Sequence, residues 1–348
     1  MIVHENVALG PLTTMQVGGL GRYFIEAASL DEVIQAWEFA RSKQLPLFVL
    51  GGGSNLLVAD SGWPGMVLKV AIPGIKETPR PDDVLFEAGA GEEWDRFVSH
   101  AVIVGCAGVE CLSGIPGSVG GTPVQNVGAY GQEVSQTIES VSAVDRESGK
   151  ICDFSRTECE FGYRSSRFNR RERDRYIVVQ VSFALRKNGA ARVEYADLQR
   201  YFSGRSHPPT LAETREAVRQ IRASKGMLLI PGDSDCRSAG SFFKNPVLSD
   251  SEFGELAARA TARGLEIPSY PGLAAQRKVS AAWLVEHSGF SKGYRQGHAG
   301  ISSKHALALV NLGGASASEV IALKDEIQQR VEELWGVRLQ PEPVLVGF

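Results

Sequence analysis

Apolar residues recur at helical spacing in five segments of the chain. Val33, Ile34, Trp37 and Ala40 follow the sequence Ser29–Glu32, which is typical of a capping box, and predict a helix over about 30–42. A second capping box, Ser316–Glu319, opens the last of these segments. The remaining periodic segments predict helices over about 92–104, 213–225, 250–263 and 316–334.

Short apolar runs and alternating runs predict strands between these helices. Two runs, 46–50 and 56–58, flank the turn Gly51–Asn55, and a third covers 67–70. Alternation over 141–144 and 176–185 indicates antiparallel strands. The mixture predicts an α+β fold.

The spacing of these elements predicts three domains. Residues 1–72 form a compact α/β group, and 73–212 read as one α+β domain. Beyond Pro208-Pro209 the pattern changes to helices with loops, which gives a third domain over 213–333. Within 348 residues and 43% hydrophobic content, each of these has enough apolar side chains for a core.

Composition narrows the class of protein. The formal net charge is -3, so the whole-chain field does not favour a polyanion partner. The N-terminus has no basic region before an apolar core, and no 18 apolar residues are consecutive; we expect neither secretion nor a membrane span. Five cysteines without a C-x-x-C pair favour a reducing cytoplasm, and the histidines lack ligand spacing, so we expect no metal.

The segment from Cys111 to Gln132 runs for 22 residues without a charge and contains six glycines. Such density lets backbone N–H groups converge on a phosphate or diphosphate, although an ordinary surface turn has a similar composition. Apolar residues such as Val119 and Val124 are interleaved with the glycines and would not be buried in a solvated turn, which argues against an ordinary surface turn. Neither a G-x-G-x-x-G nor a Walker A sequence occurs. Together with Gly51–Asn55, the segment suggests a dinucleotide cofactor held between two small domains.

Three further features carry candidate chemistry, each with a structural alternative. Ser241 lies in Gly240–Pro246 beside two phenylalanines; the segment is either a core-anchored loop or a proton donor that needs a strong carbanion base. Arg164 begins an arginine-rich run to Arg175 that is otherwise typical of a solvated face, yet it could bind a carboxylate. Glu342 is held between two prolines, where it is either simply exposed or polarises an enolate.

Taken together, these motifs resemble one family, the UDP-N-acetylenolpyruvoylglucosamine reductases, over almost the whole chain. The resemblance is carried by six ordered motifs: Thr13–Met15, Leu50–Asn55, Ser113–Gly131, Phe161–Arg164, Gly240–Pro246 and Pro341–Pro343. It implies an FAD-binding fold of the vanillyl-alcohol-oxidase (PCMH) type. Residues 1–72 with a C-terminal return over 334–348 would be the first FAD-binding subdomain, 73–212 the second, and 213–333 the substrate-binding domain.

The resemblance also implies site residues. Non-covalent FAD would be held, with its diphosphate on the two glycine turns, by Gly51, Gly52, Gly53, Ser54, Asn55, Ile115, Gly117, Ser118, Gly120, Gly121, Thr122, Gln125, Asn126 and Gly128. The longer, type I form of the family carries a tyrosine-bearing loop, matched here by 190–210. The nucleotide substrate would contact Tyr163, Tyr195, Lys225, Asn245, Tyr270, Lys292 and His305. His305 stands where type I members carry glutamine.

The implied reaction is the NADPH-dependent reduction of UDP-N-acetylenolpyruvoylglucosamine to UDP-N-acetylmuramate, a step of peptidoglycan synthesis. Arg164 and Glu342 would stabilise the enolate, and Ser241 would protonate it. We expect a cytoplasmic, monomeric oxidoreductase that binds neither nucleic acid nor membrane. Two alternatives stay open: an FAD oxidase of the same fold, which its reaction with oxygen would reveal, and a non-catalytic nucleotide or nucleic-acid binder using the 164–175 arginines.

Overall fold

The computed structural model describes residues 1–271 and 275–348, in which runs of several strands are separated by helices. In those residues the helices are α1 Leu30–Ser42, α2 Trp94–Ile103, α3 Ala196–Tyr201, α4 Leu211–Ser224, α5 Asp250–Thr261, α6 Ala281–Glu286 and α7 Ala317–Trp335. The strands are β1 His4–Ala8, β2 Leu20–Ala27, β3 Leu47–Leu50, β4 Leu56–Val58, β5 Trp63–Val70, β6 Ile75–Pro79, β7 Asp83–Gly89, β8 Cys106–Ala107, β9 Gly128–Ala129, β10 Gln132–Glu133, β11 Ile138–Asp145, β12 Ile151–Ser155, β13 Tyr176–Lys187, β14 Val247–Ser249, β15 Ser269–Pro271, β16 Gln276–Val279, β17 Arg295–Gln296, β18 Ala299–Ile301, β19 Leu309–Asn311 and β20 Val344–Val346. The α+β prediction is confirmed.

The chain divides into two compact units. Unit 1 comprises residues 1–7, 21–53 and 63–224, and unit 2 comprises 8–20, 54–62 and 225–348. The three predicted domains differ from this division, because segments from the first predicted domain group with the C-terminal part of the chain. The three-domain division stays a prediction.

Unit 1 contains two main sheets. The first has the order β1-β2-β5-β3, with β5 parallel to both of its neighbours. The second has the order β12-β11-β13-β7-β6 and is antiparallel, with β8 added on β13. Helix α1 buries Val33, Ala36 and Trp37, and α2 buries Phe97, in one continuous core. The antiparallel pairing of β11 with β13 confirms the prediction from their alternation.

Unit 2 is built from short strands and helices around its own core. Strands β4 and β20 pair in parallel, and two three-stranded antiparallel sheets have the orders β14-β16-β15 and β17-β18-β19. Met15 and Leu57, from the two early segments, are fully buried in this core together with Phe242. Helix α7 begins with a complete capping box between Ser316 and Glu319, as predicted.

The described residues contain no helix that is long and apolar enough to cross a membrane. All five cysteines are free thiols. In the part of the chain that is described, no three histidine, cysteine or acidic residues are grouped as metal ligands; absence of a metal stays a prediction.

Candidate flavin and substrate site

The two predicted glycine turns meet inside unit 1. Gly52 follows β3, and a Cβ atom built on it would lie 2.5 Å from Cα of Gly117 and 2.8 Å from the amide nitrogen of Ser118. Real Cβ atoms do not approach backbone so closely. Glycine at position 52 is therefore a steric requirement for bringing the turns together.

The second glycine turn is held by the segment that leads into α2. The N–H of Trp94 donates to the carbonyl of Gly117 at 3.1 Å, and the N–H of Val119 donates to the carbonyl of Glu92 at 2.9 Å. Gly120 N–H donates to Ala90, whose Cβ would be 2.6 Å from a Cβ at Gly120. Backbone contacts thus fix residues 117–120, which is the rigidity that a preformed diphosphate site needs.

Ser118 gives the test of whether a cofactor fits these turns. Its Oγ is buried and makes no hydrogen bond within the described residues. A Cβ at Gly51 would be 2.8 Å from that oxygen, so a larger residue there would force the Ser118 hydroxyl to move. A buried hydroxyl without a protein partner costs free energy unless a ligand satisfies it. The glycines and Ser118 fit the diphosphate of FAD.

The side chain of Asn126 forms hydrogen bonds with other residues of the protein. Its Nδ2 donates to the Glu133 carboxylate at 2.9 Å and to the Gly162 carbonyl at 3.0 Å, while its Oδ1 accepts from the Ser135 N–H at 3.1 Å. The residue is buried with a φ of 46°. Asn126 therefore fastens the glycine segment to the turn that carries Arg164. The predicted cofactor contacts of Asn126 and Gln125 stay predictions.

Arg164 lies in a tight turn of unit 1. Gly162 and Ser165 exchange two backbone hydrogen bonds, of 2.9 and 3.1 Å, which closes the turn, and Arg164 adopts a φ of 51°. A Cβ at Gly128 would be 3.3 Å from its Nη1. The glycine segment and the arginine are therefore neighbours, as required if both serve one site.

Four of the five remaining arginines of this run, Arg167, Arg171, Arg173 and Arg175, pair with carboxylates. Arg167 meets Glu172 at 2.6 Å, and Arg171 meets Glu160 at 2.9 Å. Arg175 contacts Asp145 at 3.1 Å. This is a surface ion-pair network, the interpretation that the sequence favoured, and it does not present a bare cationic groove to a polyanion.

Ser241 and Glu342 lie on neighbouring extended segments of unit 2. The Glu342 N–H donates to the carbonyl of Phe242 at 2.9 Å, and the Lys244 N–H donates to that of Gln340 at 2.9 Å. Phe242, which is fully buried, anchors the segment. Nδ2 of Asn55 also donates to the Glu342 carbonyl, at 3.3 Å. Two of the predicted catalytic residues, and the end of the first glycine turn, are therefore brought together.

The predicted nucleotide contacts fall into separate places. His305 lies near Lys225 and Lys292 in unit 2, and Asn245 accepts the Ala281 N–H at 2.9 Å. The three predicted tyrosines, Tyr163, Tyr195 and Tyr270, have exposed side chains. Tyr195 directly precedes α3 and contacts Tyr130 edge to face.

His305 is held in one protonation state. Its Nδ1 accepts the Leu307 N–H at 3.1 Å, so the neutral ring carries its proton on Nε2. Burial, together with the nearby charges of Lys225 and Lys292, lowers the pKa of His305 to about 4. Neutral His305 can thus donate a hydrogen bond from Nε2 near two cations, Lys225 and Lys292.

This protonation state predicts a pH-dependent stability. The unfolded chain takes up the His305 proton near pH 6.5, whereas the folded chain resists it down to about pH 4. The contribution of neutral His305 to the free energy of unfolding is therefore fully present above pH 6.5. It decreases as the pH drops, by roughly 2 kcal/mol at pH 5. Urea unfolding at pH 8 and pH 5 should show that loss in the wild type and in a His4→Gln control, but not in His305→Gln. An unchanged loss in His305→Gln would contradict the assignment.

One group of charged residues was not singled out from the sequence. The carboxylate of Asp95 on α2 forms ion pairs with Arg215 and Arg219 of α4, at N–O distances of 2.6 and 2.5 Å. The sequence signal is the spacing of Arg215, Arg219 and Arg222 along one helix face. Their acidic partner, however, lies more than a hundred positions earlier.

Comparisons with known proteins give matches over almost the whole chain. Residues 22–155 match an FAD binding domain, and residues 231–346 match the C-terminal domain of UDP-N-acetylenolpyruvoylglucosamine reductase. The chain is 46% identical to the UDP-N-acetylenolpyruvoylglucosamine reductase of Thermobifida fusca, over 99% of this chain and 98% of the relative. It is also 46% identical to that of Streptomyces coelicolor, over 99% and 90%. The crystal structure of the Thermus caldophilus enzyme is similar, with a TM-score of 0.66 and 26% identity over 99% of this chain and 100% of that one.

The glycine turns and the matched FAD binding domain define a flavin-dependent oxidoreductase with FAD as its cofactor. Within that class, the chain belongs to the UDP-N-acetylenolpyruvoylglucosamine reductase family.

Proposed function

We propose that the chain reduces UDP-N-acetylenolpyruvoylglucosamine to UDP-N-acetylmuramate, with NADPH as the electron source, in the synthesis of peptidoglycan precursors. The observation that carries this proposal is 46% identity to a reductase of that name across 99% of the chain. The contact between the glycine turns at Gly52 and Gly117 supports it, because it supplies the cofactor site that the reaction needs. Both substrates are charged nucleotides that do not cross membranes, so we place the reaction in the cytoplasm.

FAD, when bound, supplies the hydride chemistry, and the protein's part is to hold and orient it without a covalent bond. Ser118 and the backbone of Gly51–Gly53 and Gly117–Thr122 hold the diphosphate. These groups are neutral. The charges of the site are thereby left for the substrate.

Arg164, Glu342 and Ser241 act on the substrate. A hydride adds to the terminal vinyl carbon and the π electrons move to the carbon that bears the carboxylate. The Arg164 guanidinium binds that carboxylate and stabilises the enolate, assisted by Glu342. The Ser241 hydroxyl then gives its proton to the carbanionic carbon, and the serine regains a proton from water.

The nucleotide half of the substrate is held by two cations and by neutral hydrogen-bonding residues. Lys225 and Lys292 oppose the charge of the diphosphate, and His305 donates a hydrogen bond from Nε2. The other proposed contacts are Tyr163, Tyr195, Asn245 and Tyr270.

The proposal predicts a yellow protein that carries out two separate half-reactions. Denaturation should release free FAD, anaerobic NADPH should bleach the colour, and UDP-N-acetylenolpyruvoylglucosamine should restore it. The same measurement with NADH in place of NADPH gives the preference for the additional phosphate group of NADPH. Protein that stays colourless and takes up no FAD would contradict the proposal. Rapid reoxidation by oxygen but not by the enolpyruvyl substrate would identify an oxidase instead.

A further inference from the structure

Gly114, at the start of the second glycine turn, is held from both sides by charged groups, the half-buried carboxylate of Asp95 and the buried guanidinium of Arg222. Its N–H donates to Oδ1 of Asp95 at 2.6 Å, and its carbonyl accepts from Nε of Arg222 at 3.1 Å. Gly114 itself adopts a φ of +70°, in the left-handed region. The two peptide units that flank Gly114 are therefore fixed by charge-assisted hydrogen bonds.

Both partners are themselves positioned. Asp95 receives Arg215 through two hydrogen bonds, of 2.6 and 3.0 Å. Burial alone raises the pKa of Asp95, but the hydrogen bonds from Arg215 and Gly114 outweigh it, and the pKa is lowered. Arg222 is only 8% exposed and also donates a hydrogen bond to the Tyr130 hydroxyl. Burial of the charged Arg222 side chain is costly unless hydrogen bonds compensate it, and the Gly114 carbonyl accepts one of them.

The contact is continuous with the cofactor turn. Asp95 directly follows Trp94, whose N–H binds the carbonyl of Gly117. A single stretch of α2 thus holds Gly114 by a side chain and Gly117 by its backbone. The turn between them is fixed at both ends.

We propose that Asp95 and Arg222 are positioning residues of the FAD site, which set the conformation of the 114–117 turn and hence the affinity for FAD. This inference rests on the proposed use of that turn for the FAD diphosphate. Neither residue touches the reacting atoms. Their effect is transmitted through the peptide groups of Gly114.

The test measures the Kd of the apoprotein for FAD by quenching of flavin fluorescence. Asp95→Ala and Arg222→Met should each raise the Kd by about 10- to 100-fold, the loss expected for one charge-assisted hydrogen bond. Asp95→Asn keeps an oxygen that accepts the Gly114 N–H, so its Kd should rise by only about threefold. Arg219→Gln is the matched control, because Arg219 pairs with Asp95 but does not contact Gly114; it should change the Kd less than about twofold.

Thermal unfolding of each apoprotein separates positioning from a general loss of structure. Loss of FAD affinity in Asp95→Ala with recovery in Asp95→Asn supports the inference. Equal affinity of wild type, Asp95→Ala and Arg222→Met, or an Asp95→Asn as weak as Asp95→Ala, overturns it. If Arg222→Met does not fold, the comparison of Asp95→Ala with Asp95→Asn still decides. A wild-type protein that binds no FAD would overturn the proposed function instead.

Discussion

Gly52→Ala is expected to yield protein that binds FAD about 10- to 100-fold more weakly than the wild type. The added Cβ would lie 2.5 Å from Cα and 2.6 Å from the carbonyl carbon of Gly117. Both are backbone atoms, so no side-chain rotation relieves the overlap. Because 117–120 is bonded to the segment before α2, one turn must move away from the other.

Flavin fluorescence titration of the apoprotein measures this effect. Gly254→Ala is the matched control, since it lies in α5 and, apart from its chain neighbours and the backbone of its own helix, no described heavy atom lies within 4 Å of its added Cβ. It should bind FAD with unchanged affinity and unfold at the same or a slightly higher temperature. Wild-type affinity in Gly52→Ala would show that the turns do not jointly hold the cofactor.

Five of the seven helices in the described residues were predicted from local sequence, because their signals are local; the six-residue helices α3 and α6 are too short for such a signal and were missed. The pattern predicts 30–42 and the structure has α1 at Leu30–Ser42. The capping detail was less exact: Ser29 accepts from the Glu32 N–H, but the Glu32 carboxylate accepts from Ala28 rather than from Ser29. Flexible carboxylates choose among adjacent N–H groups, and sequence does not fix that choice.

Assignment of segments to a core could not be predicted in the same way. Residues 8–20 and 54–62 read as parts of the N-terminal group, yet Met15 and Leu57 are buried with Phe242 in unit 2. An apolar side chain signals that it will be buried, not against which distant partner. The role of Asp95 could not be predicted for the same reason, because its ion-pair partners are arginines of α4, far along the chain.

The candidate site was predictable to the extent that its residues form contiguous motifs. Gly51–Gly53 and Gly117–Thr122 are recognisable as turns, and the structure adds that they touch. It also alters the reading of Asn126, whose amide binds Glu133 and Gly162. The bond to Gly162 joins positions 36 residues apart, so no short window of sequence contains it.

Ser241→Ala is expected to leave flavin reduction by NADPH within about twofold of wild type but to slow reoxidation by the enolpyruvyl substrate about 10²- to 10⁴-fold. The hydroxyl is the proposed proton source only after hydride transfer, so the first half-reaction does not need it. The segment should keep its place, because Phe242 is fully buried and its carbonyl accepts the Glu342 N–H. Anaerobic stopped-flow absorbance follows each half-reaction separately.

Ser238→Ala distinguishes proton donation from a change in the shape of this segment. The Ser238 hydroxyl accepts the Gly240 N–H at 3.3 Å, so its removal loosens the approach to Ser241 while the Ser241 hydroxyl stays. Reoxidation in Ser238→Ala should remain within about tenfold of wild type, since one neutral hydrogen bond contributes about 1 kcal/mol. If the two variants are equally slow, segment geometry rather than a proton from Ser241 limits the reaction. Equal loss of both half-reactions in Ser241→Ala would likewise assign the serine to binding rather than to protonation of the carbanion.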